Sequence, residues 1–248
     1  MNSAVLELKE ISKRFGGLKV IDRINLKFNR EELRCIIGPN GAGKTTLFNL
    51  ITGQVKSDAG QILFENKDIT QLKPYQITRA GIARKFQVPT VFDKQSILEN
   101  LGIAAWGQQG IGSFIFSRWD KSAIEDQVQE IMEAVHLGGR GDEIASTLSH
   151  GEKQWLEIGM VLAYRPKLML LDEPTAGMTT HETMETSRII RKISQQVTTV
   201  VIEHDIKFLK EIAEHVTVLH QGGILAEGTF AEIERDPIVR DVYLGRKD

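Results

Sequence analysis

The sequence predicts an α/β fold built on a largely parallel sheet, with a helical insertion in its middle. Three observations carry that expectation. Short β-branched runs alternate with longer segments of helical periodicity, the order that a parallel sheet and its crossover helices require. The apolar run Cys35-Ile36-Ile37 leads into a glycine-rich loop that opens a helix, and Leu168–Leu171 leads into two carboxylates. The stretch from about Pro89 to Ser149 holds helical periodicity and no convincing strand.

In chain order, Val5–Leu8, Ile24–Phe28 and Gln61–Phe64 read as short strands, the last entered through the turn Asp58-Ala59-Gly60. Leu47, Leu50 and Ile51 share one helical face, and Gly53 stops that helix. In the insertion, Asp120 is placed to cap a helix whose apolar positions Ile124, Val128, Ile131, Met132 and Val135 recur every three or four residues, before Gly138-Gly139. Leu168–Leu171 and Thr198–Ile202 read as buried strands, each followed at once by charge. Met184, Ile189, Ile190 and Ile193 mark a one-sided helix between them, the crossover that a parallel pair needs. Gly222-Gly223 between Val216–Leu219 and Ile224–Glu227 predicts a hairpin. The expected organisation is a single domain over 1–248, its α/β core at about 1–88 and 155–248 and its helical insertion at about 89–154.

The 248 residues, 41% of them hydrophobic, are enough to bury a sizeable core without disulfides or structural metal. The lone Cys35, inside the apolar run Leu33–Ile37, reads as a small buried hydrophobe. Scarce cysteine suits a reducing compartment. A formal charge of −2 leaves no broad basic footprint, which argues against nucleic acid as a partner. No apolar stretch approaches the ~18 residues of a bilayer span. Met1 to Glu10 carries acids where a secretory signal would carry a basic and then an apolar segment. A soluble intracellular protein is the expectation.

Gly38-Pro39-Asn40-Gly41-Ala42-Gly43-Lys44-Thr45 fits the phosphate-binding loop pattern, with Thr46 following. Glycines let consecutive backbone N–H groups turn inward on an anion, and the helix that follows adds its positive N-terminal end. Lys44 can reach the β- and γ-phosphates of a nucleotide, and the Thr45 hydroxyl can ligate Mg²⁺. The ordinary alternative is a glycine turn before a helix; the flanking strand and helix signals favour the phosphate site. A metal–nucleotide site needs a second acidic element. Asp172 and Glu173 supply it at the carboxyl end of a strand, the edge where open α/β sheets bind ligands. Asp172 is placed to hold Mg²⁺ through water, and Glu173 to polarise the attacking water.

With these two elements in hand, the chain resembles the ATP-binding-cassette ATPases over nearly its whole length. Leu148-Ser149-His150-Gly151-Glu152-Lys153-Gln154 is similar to the signature segment of that family, usually L-S-G-G-Q. Gln87 sits where the family has its Q-loop glutamine, His204 in Val201-Ile202-Glu203-His204-Asp205 resembles its switch histidine, and Phe15 resembles its adenine-stacking aromatic. Taken singly, Phe15 would be a core residue, Gln87 and His204 solvated loop residues, and Ser149 a helix N-cap; Ser149 is expected to be that as well. The resemblance implies a P-loop NTPase (RecA-like) core, an antiparallel β subdomain and an inserted helical subdomain. It also implies ATP and Mg²⁺ as ligands. Phe15, residues 38–46, Ser149, Gly151 and Glu152 would bind nucleotide, Thr45, Gln87 and Asp172 would serve the metal, and Glu173, His204 and Gln87 would act in hydrolysis. Two such domains would pair head to tail, Ser149 and its helix meeting the γ-phosphate held by the other, so that ATP closes the pair and hydrolysis reopens it.

Three departures narrow the likeness. His150 replaces a glycine, Glu152 replaces the final glutamine, and Pro174-Thr175-Ala176-Gly177-Met178-Thr179 lacks the aspartate of the usual S-A-L-D segment. Glu152 favours its own helix but is expected to repel a triphosphate held by the partner. The phosphate loop with Leu47-Phe48-Asn49, the segment Ile202-Glu203-His204-Asp205 and the ending Tyr243-Leu244-Gly245 are similar to the ATPases of branched-chain amino-acid-type importers. Leu148–Met160 and Glu173–Thr179 look most like the urea-transporter member of that group, so urea is the cargo this resemblance implies, with a branched-chain amino acid as its alternative.

This resemblance implies transmembrane permease subunits as partners, a second ATPase subunit (a paralogue or a second copy), and indirectly a periplasmic substrate-binding protein. It places the chain on the cytoplasmic face of a bacterial inner membrane. Val91, Phe92, Trp106, Phe114, Phe116 and Trp119 are candidates for permease contact, with a small core of the insertion as their alternative. Cytosolic relatives in DNA repair carry long coiled-coil insertions and those in translation carry two cassettes; neither is present. A regulatory module without turnover conflicts with Glu173 and His204.

Overall fold

The computed structural model describes residues 4–85, 91–107 and 121–244. Two long strands, β1 (Ala4–Phe15) and β2 (Leu18–Asn29), form a hairpin that pairs through β1 with β4 (Ala59–Phe64), and β4 pairs with the two-residue β5 (Lys67–Asp68). All these pairings are antiparallel. β1 and β2 run well beyond the expected Val5–Leu8 and Ile24–Phe28. Polar residues interrupt the apolar alternation, and the register shifts between Leu8 and Ile11, where Glu10 has φ 49°. A bulge of this kind carries the pairing past a break in the pattern.

The second sheet has six strands in the order β10-β9-β3-β8-β7-β6. Its members are β3 (Leu33–Ile37), β6 (Ile82–Lys85), β7 (Leu168–Asp172), β8 (Thr198–Ile202), β9 (His215–His220) and β10 (Gly223–Gly228). Neighbours from β9 to β6 are parallel, and β10 returns antiparallel through the turn at Gln221-Gly222. Every residue of β7 and β8 is buried, which is why their sequences are continuously apolar or β-branched rather than alternating. Their side chains still divide by the two-residue period of a strand. Leu33, Cys35, Ile37, Met169, Leu171 and Val201 enter one core, and Ile36, Leu168, Leu170, Val200 and Ile202 enter the other. The second core lies against the antiparallel sheet and α1 (Lys44–Ile51). Burial pushes the Cys35 thiol pKa up, in keeping with an inert core residue.

The first core is shared with the helices α3 (Ile97–Gly107), α4 (Lys121–Ala134) and α5 (His150–Ala163), which pack on one another. α2 (Pro74–Ala80) precedes β6. Ile131, Met132 and Val135 are buried as the periodicity predicts, and the chain turns after α4 through His136 at φ 59°. Asp120 lies outside the described residues. No strand forms between 91 and 107 or between 121 and 149; a single isolated bridge joins Ser96 to Ile144. The expected core boundary at 154–155 falls inside α5, because this helix runs unbroken from the signature segment into the helical layer. In α6 (Thr180–Ser194), Ile189, Ile190 and Ile193 are buried, but Met184 is 38% exposed and stands off the core face. β6 was not foreseen, since Ile82-Ala83-Arg84-Lys85 lacks a strand pattern; pairing with β7 makes it one. α7 (Ile206–Ile212) and α8 (Phe230–Arg235) complete the described helices used below. Among the described residues no helix is long and apolar enough to cross a membrane.

Gly222 fastens the two sheets together. Its N–H donates to Ala42 O at 3.1 Å, and its carbonyl accepts from Asp22 N at 2.9 Å. It has φ +80°, and a Cβ there would stand 2.5 Å from Val20 O. Gly222→Ala is therefore expected to destabilise the fold by about 1–3 kcal/mol, from left-handed strain plus a backbone clash. Urea unfolding of the two proteins measures it.

Candidate nucleotide site

β3 delivers the chain into the glycine loop with no room for side chains. A Cβ on Gly38 (φ +148°) would lie 2.1 Å from Leu219 O, and one on Gly43 (φ +106°) would lie 2.8 Å from both Ile21 Cδ1 and Val20 O. The loop is thus clamped between β9 and β2. α1 opens at Gly43 with no side-chain cap and no acid in its first turn. α5, α6 and α8 instead begin with Ser149, Thr179 and Thr229, each closing a capping box with a glutamate. The first N–H groups of α1 are left for an anion from outside. Lys44 Nζ donates to Gly38 O at 2.7 Å and Pro39 O at 3.1 Å, folded over its own loop. Burial holds its pKa below the usual lysine value, against the pull of Glu173 and Asp172. Asn40, Gly41 and Thr45 are exposed, Pro39 and Thr46 are partly buried, and Ala42 is buried.

Parallel pairing sets the acids beside this loop. Asp172 is opposite Ile202 in the β7–β8 register and is 1% exposed. Its Oδ2 accepts from Arg84 Nη2 at 2.7 Å, while its Oδ1 is buried with no hydrogen-bond partner. Arg84 Nη1 donates to Asn49 Oδ1 at 2.6 Å, and the guanidinium lies 5.4 Å from the Phe48 ring centre. One arginine from β6 therefore ties Asp172 to α1. An orphaned carboxylate oxygen here suits a divalent cation. Glu173 takes φ 47°, a left-handed conformation unusual for glutamate, and donates its N–H to Ile202 O at 2.9 Å. That turn sends its side chain away from Asp172, so the two adjacent acids face differently. Glu173 Oε1 lies 3.8 Å from His204 Nδ1 at the end of the neighbouring strand.

The signature segment is also built by capping. Glu152 N donates to Ser149 Oγ at 3.2 Å, and Ser149 N donates to Glu152 Oε2 at 2.8 Å. Arg140 donates to the other Glu152 oxygen. Both Glu152 oxygens are thus engaged within its own chain, and Arg140 sits beside the charge expected to repel a partner's triphosphate. Arg140 is the larger cause that holds its carboxyl below the usual range. Ser149 Oγ and Gly151 N donate to a single acceptor, Glu182 Oε1, at 3.1 and 3.2 Å. A Cβ on Gly151 would stand 2.4 Å from that oxygen. His150 Nε2 lies 3.0 Å from Ala176 O, so the His150 departure touches the altered segment after Glu173. Thr179, in that segment, has become the N-cap of α6.

Phe15 is 47% exposed at the β1–β2 turn, which removes the core alternative, and Lys13 Nζ lies 5.5 Å from its ring centre. Its hairpin abuts Gly43 through Val20 and Ile21. Gln87, Phe114, Phe116 and Trp119 lie outside the described residues. Phe92 and Trp106 are each 48% exposed, and Val91 packs partly into the helical core. Sequence reading missed Arg84, Arg140, Glu182 and Glu203. Charged residues in short runs give no periodic signal, and their partners are distant in the chain.

The sequence pattern of the family described as ABC transporter matches residues 21–176. The chain belongs to the ABC transporter family. Residues 224–248 match a second pattern, described as branched-chain amino acid ATP-binding cassette transporter. The chain is 35% identical over 253 residues to the probable branched-chain amino acid transport ATP-binding protein LivG of Archaeoglobus fulgidus, covering 98% of this chain and 96% of the relative. It is 35% identical to the high-affinity branched-chain amino acid transport ATP-binding protein BraF of Pseudomonas aeruginosa, covering 99% of each. Among solved structures, the ADP form of an ATP-binding cassette of an ABC transporter superposes with TM-score 0.86 at 32% identity, covering 98% of this chain and all of that one. A cassette of a cbiONQ transporter complex from Clostridium perfringens gives 0.83 at 26% identity, covering 98% and 96%. The fold is the ABC nucleotide-binding domain, and the chain is an ATPase of that kind. The importer group is the one expected from sequence. The finer likeness to a urea-transporter subunit rests on the two motifs Leu148–Met160 and Glu173–Thr179.

Breaking the Arg84–Asp172 pair leaves a carboxylate buried and unpaired. Arg84→Met is expected to cost about 3–5 kcal/mol of stability. Denaturant unfolding of the nucleotide-free protein reads it.

Proposed function

We propose that the chain is the ATP-hydrolysing subunit of an importer of the branched-chain amino-acid type, coupled to permease subunits on the cytoplasmic side of a membrane. The observation that carries this reading is the convergence of Lys44, Asp172, Glu173 and His204 at one edge of the parallel sheet. In this reading the loop amides of residues 38–46 and Lys44 bind the phosphates of ATP, and Phe15 stacks on adenine. Asp172, Thr45 and Gln87 would hold Mg²⁺, which would offset the charge of the phosphates. Glu173 orients and polarises the attacking water, and His204 and Gln87 sense the γ-phosphate. Lys44 leaves Gly38 O and Pro39 O as the phosphates enter.

Pairing with a second cassette uses Ser149 and Gly151. These donors reach the partner's γ-phosphate by giving up Glu182, while Glu152 stays with Arg140 as the cap of α5. A paralogous partner is favoured by the importer group. In this reading the permease would dock at the cleft between β6, α3 and α5, lined by Thr52, Phe92, Ile103, Met160, Val161 and Tyr164. Branched-chain amino acids are the favoured cargo class, by likeness to LivG and BraF. Urea is the second reading, favoured by the two sequence motifs named above.

Lys44→Ala is expected to weaken ATP binding itself, read by equilibrium titration; unchanged affinity would argue against the cradle. Glu173→Gln should keep ATP binding and ATP-dependent pairing while turnover falls by about 10²–10⁴-fold, the usual worth of general-base catalysis. Wild-type hydrolysis in that variant sinks the assignment. For the cargo, the transporter is reconstituted with its permease and binding protein. Stimulation of ATPase activity by binding protein loaded with a branched-chain amino acid supports the first reading, and stimulation by urea alone supports the second.

A further inference from the structure

Glu203 follows β8 directly, one residue before His204, and is 1% exposed. A carboxylate withdrawn from water this far is costly unless donors surround it. Here the donors come from two different loops. Thr175 offers both its N–H, at 3.1 Å, and its hydroxyl to Oε1. His204 N and Asp205 N donate to Oε2 at 2.9 and 3.4 Å. Among the described residues no lysine or arginine forms an ion pair with it; the His204 ring lies beside it, with Nδ1 3.7 Å from Oε2.

The two loops are those that carry the reacting groups. Thr175 follows Glu173 by two residues, and Ala176 N donates back to Glu173 O at 3.2 Å. His204 and Asp205 form the other, and Asp205 caps α7. Strand pairing fixes Asp172 opposite Ile202, and the bond from Glu173 N to Ile202 O at 2.9 Å holds one residue more before the two chains leave the sheet. From there the separation of Glu173 and His204 depends on what joins their loops, and Glu203 joins them with four hydrogen bonds.

We propose that Glu203 is a positioning residue for hydrolysis, its buried carboxylate bracing the Glu173 turn against the His204 turn so that the two side chains meet at the γ-phosphate. The inference rests on the reading of Glu173 and His204 as the working pair. Glutamine has the same shape but brings two N–H donors toward backbone N–H groups, so it keeps the volume and loses half of the acceptance.

The test compares Glu203→Gln with wild type in the assembled transporter. The expected result is a fall in kcat of roughly tenfold or more, the scale of a misplaced catalytic group. KM for ATP should stay within about twofold, because the cradle is untouched. A merely structural role would lower the melting temperature and leave kcat per folded molecule unchanged. Thr175→Val removes one donor and should lower kcat in the same direction by less. Thr175→Ser, which restores the hydroxyl, should recover it. Combining Thr175→Val with Glu203→Gln should add little further loss. These threonine variants decide the matter if Glu203→Gln does not fold. Wild-type kcat in Glu203→Gln, or in Thr175→Val, overturns the proposal. Glu173→Gln run in parallel separates the two levels. If it abolishes turnover while Glu203→Gln does not, only the positioning role fails; if it retains turnover, the underlying reading fails as well.

Discussion

Parallel pairing of β3, β8 and β7 forces three chain turns onto one edge of the sheet, and the rest of the site depends on that constraint. Parallel neighbours share a direction, so the segments leaving β3, β7 and β8 all emerge at the same side. The glycine loop, the Asp172-Glu173 turn and the His204 turn are brought to one edge for this reason. Burial of β7 and β8 on both faces gives the arrangement its rigidity, since their alternate residues lock into two separate cores. The antiparallel sheet and the helical layer are attached to these two cores.

Charge taken out of water organises the space around that edge. Arg84 pairs with Asp172 and reaches Asn49. Lys85, next to it on β6, pairs with Glu157 of α5, each side chain 3% exposed. The same short strand therefore binds Asp172 with one cation and the helical layer with the next, and through this pair of contacts it joins the two. Glu203 plays a comparable part with neutral donors. Such buried charges contribute little net stability over apolar replacements, so their value lies in fixing one geometry.

The departures in the signature segment form one connected set. Glu152, in place of glutamine, completes the Ser149 cap and is neutralised by Arg140. His150, in place of glycine, reaches Ala176 O, and Thr179 caps α6 while Glu182 of that cap holds Ser149 and Gly151. The helix start that would meet a partner's phosphate is thus already engaged with an acid of its own chain. A Cβ at Gly151 would meet the end of the Glu182 side chain, which would have to move aside.

Much of the fold was legible because it is written in local periodicity. β3, β7 and β8 are continuous apolar or β-branched runs, the β9–β10 hairpin carries its glycines, and the phosphate loop declares itself by residue type. Ser149 as an N-cap follows from the same local chemistry. What sequence could not show are interactions between residues far apart in the chain. β6 exists only because β7 offers it a parallel edge, Met184 faces outward because of how α6 is rotated on the core, and Glu152 is held in place because Arg140 reaches it. Glu182 on the signature and Glu203 between the loops are likewise contacts across 31 or 33 residues and across 28. The sequence by itself determined the residue types of a nucleotide edge and the strands that carry them. Only the tertiary structure decided which charges face each other there, because a hydrogen bond depends on distance in space and leaves no period in the chain.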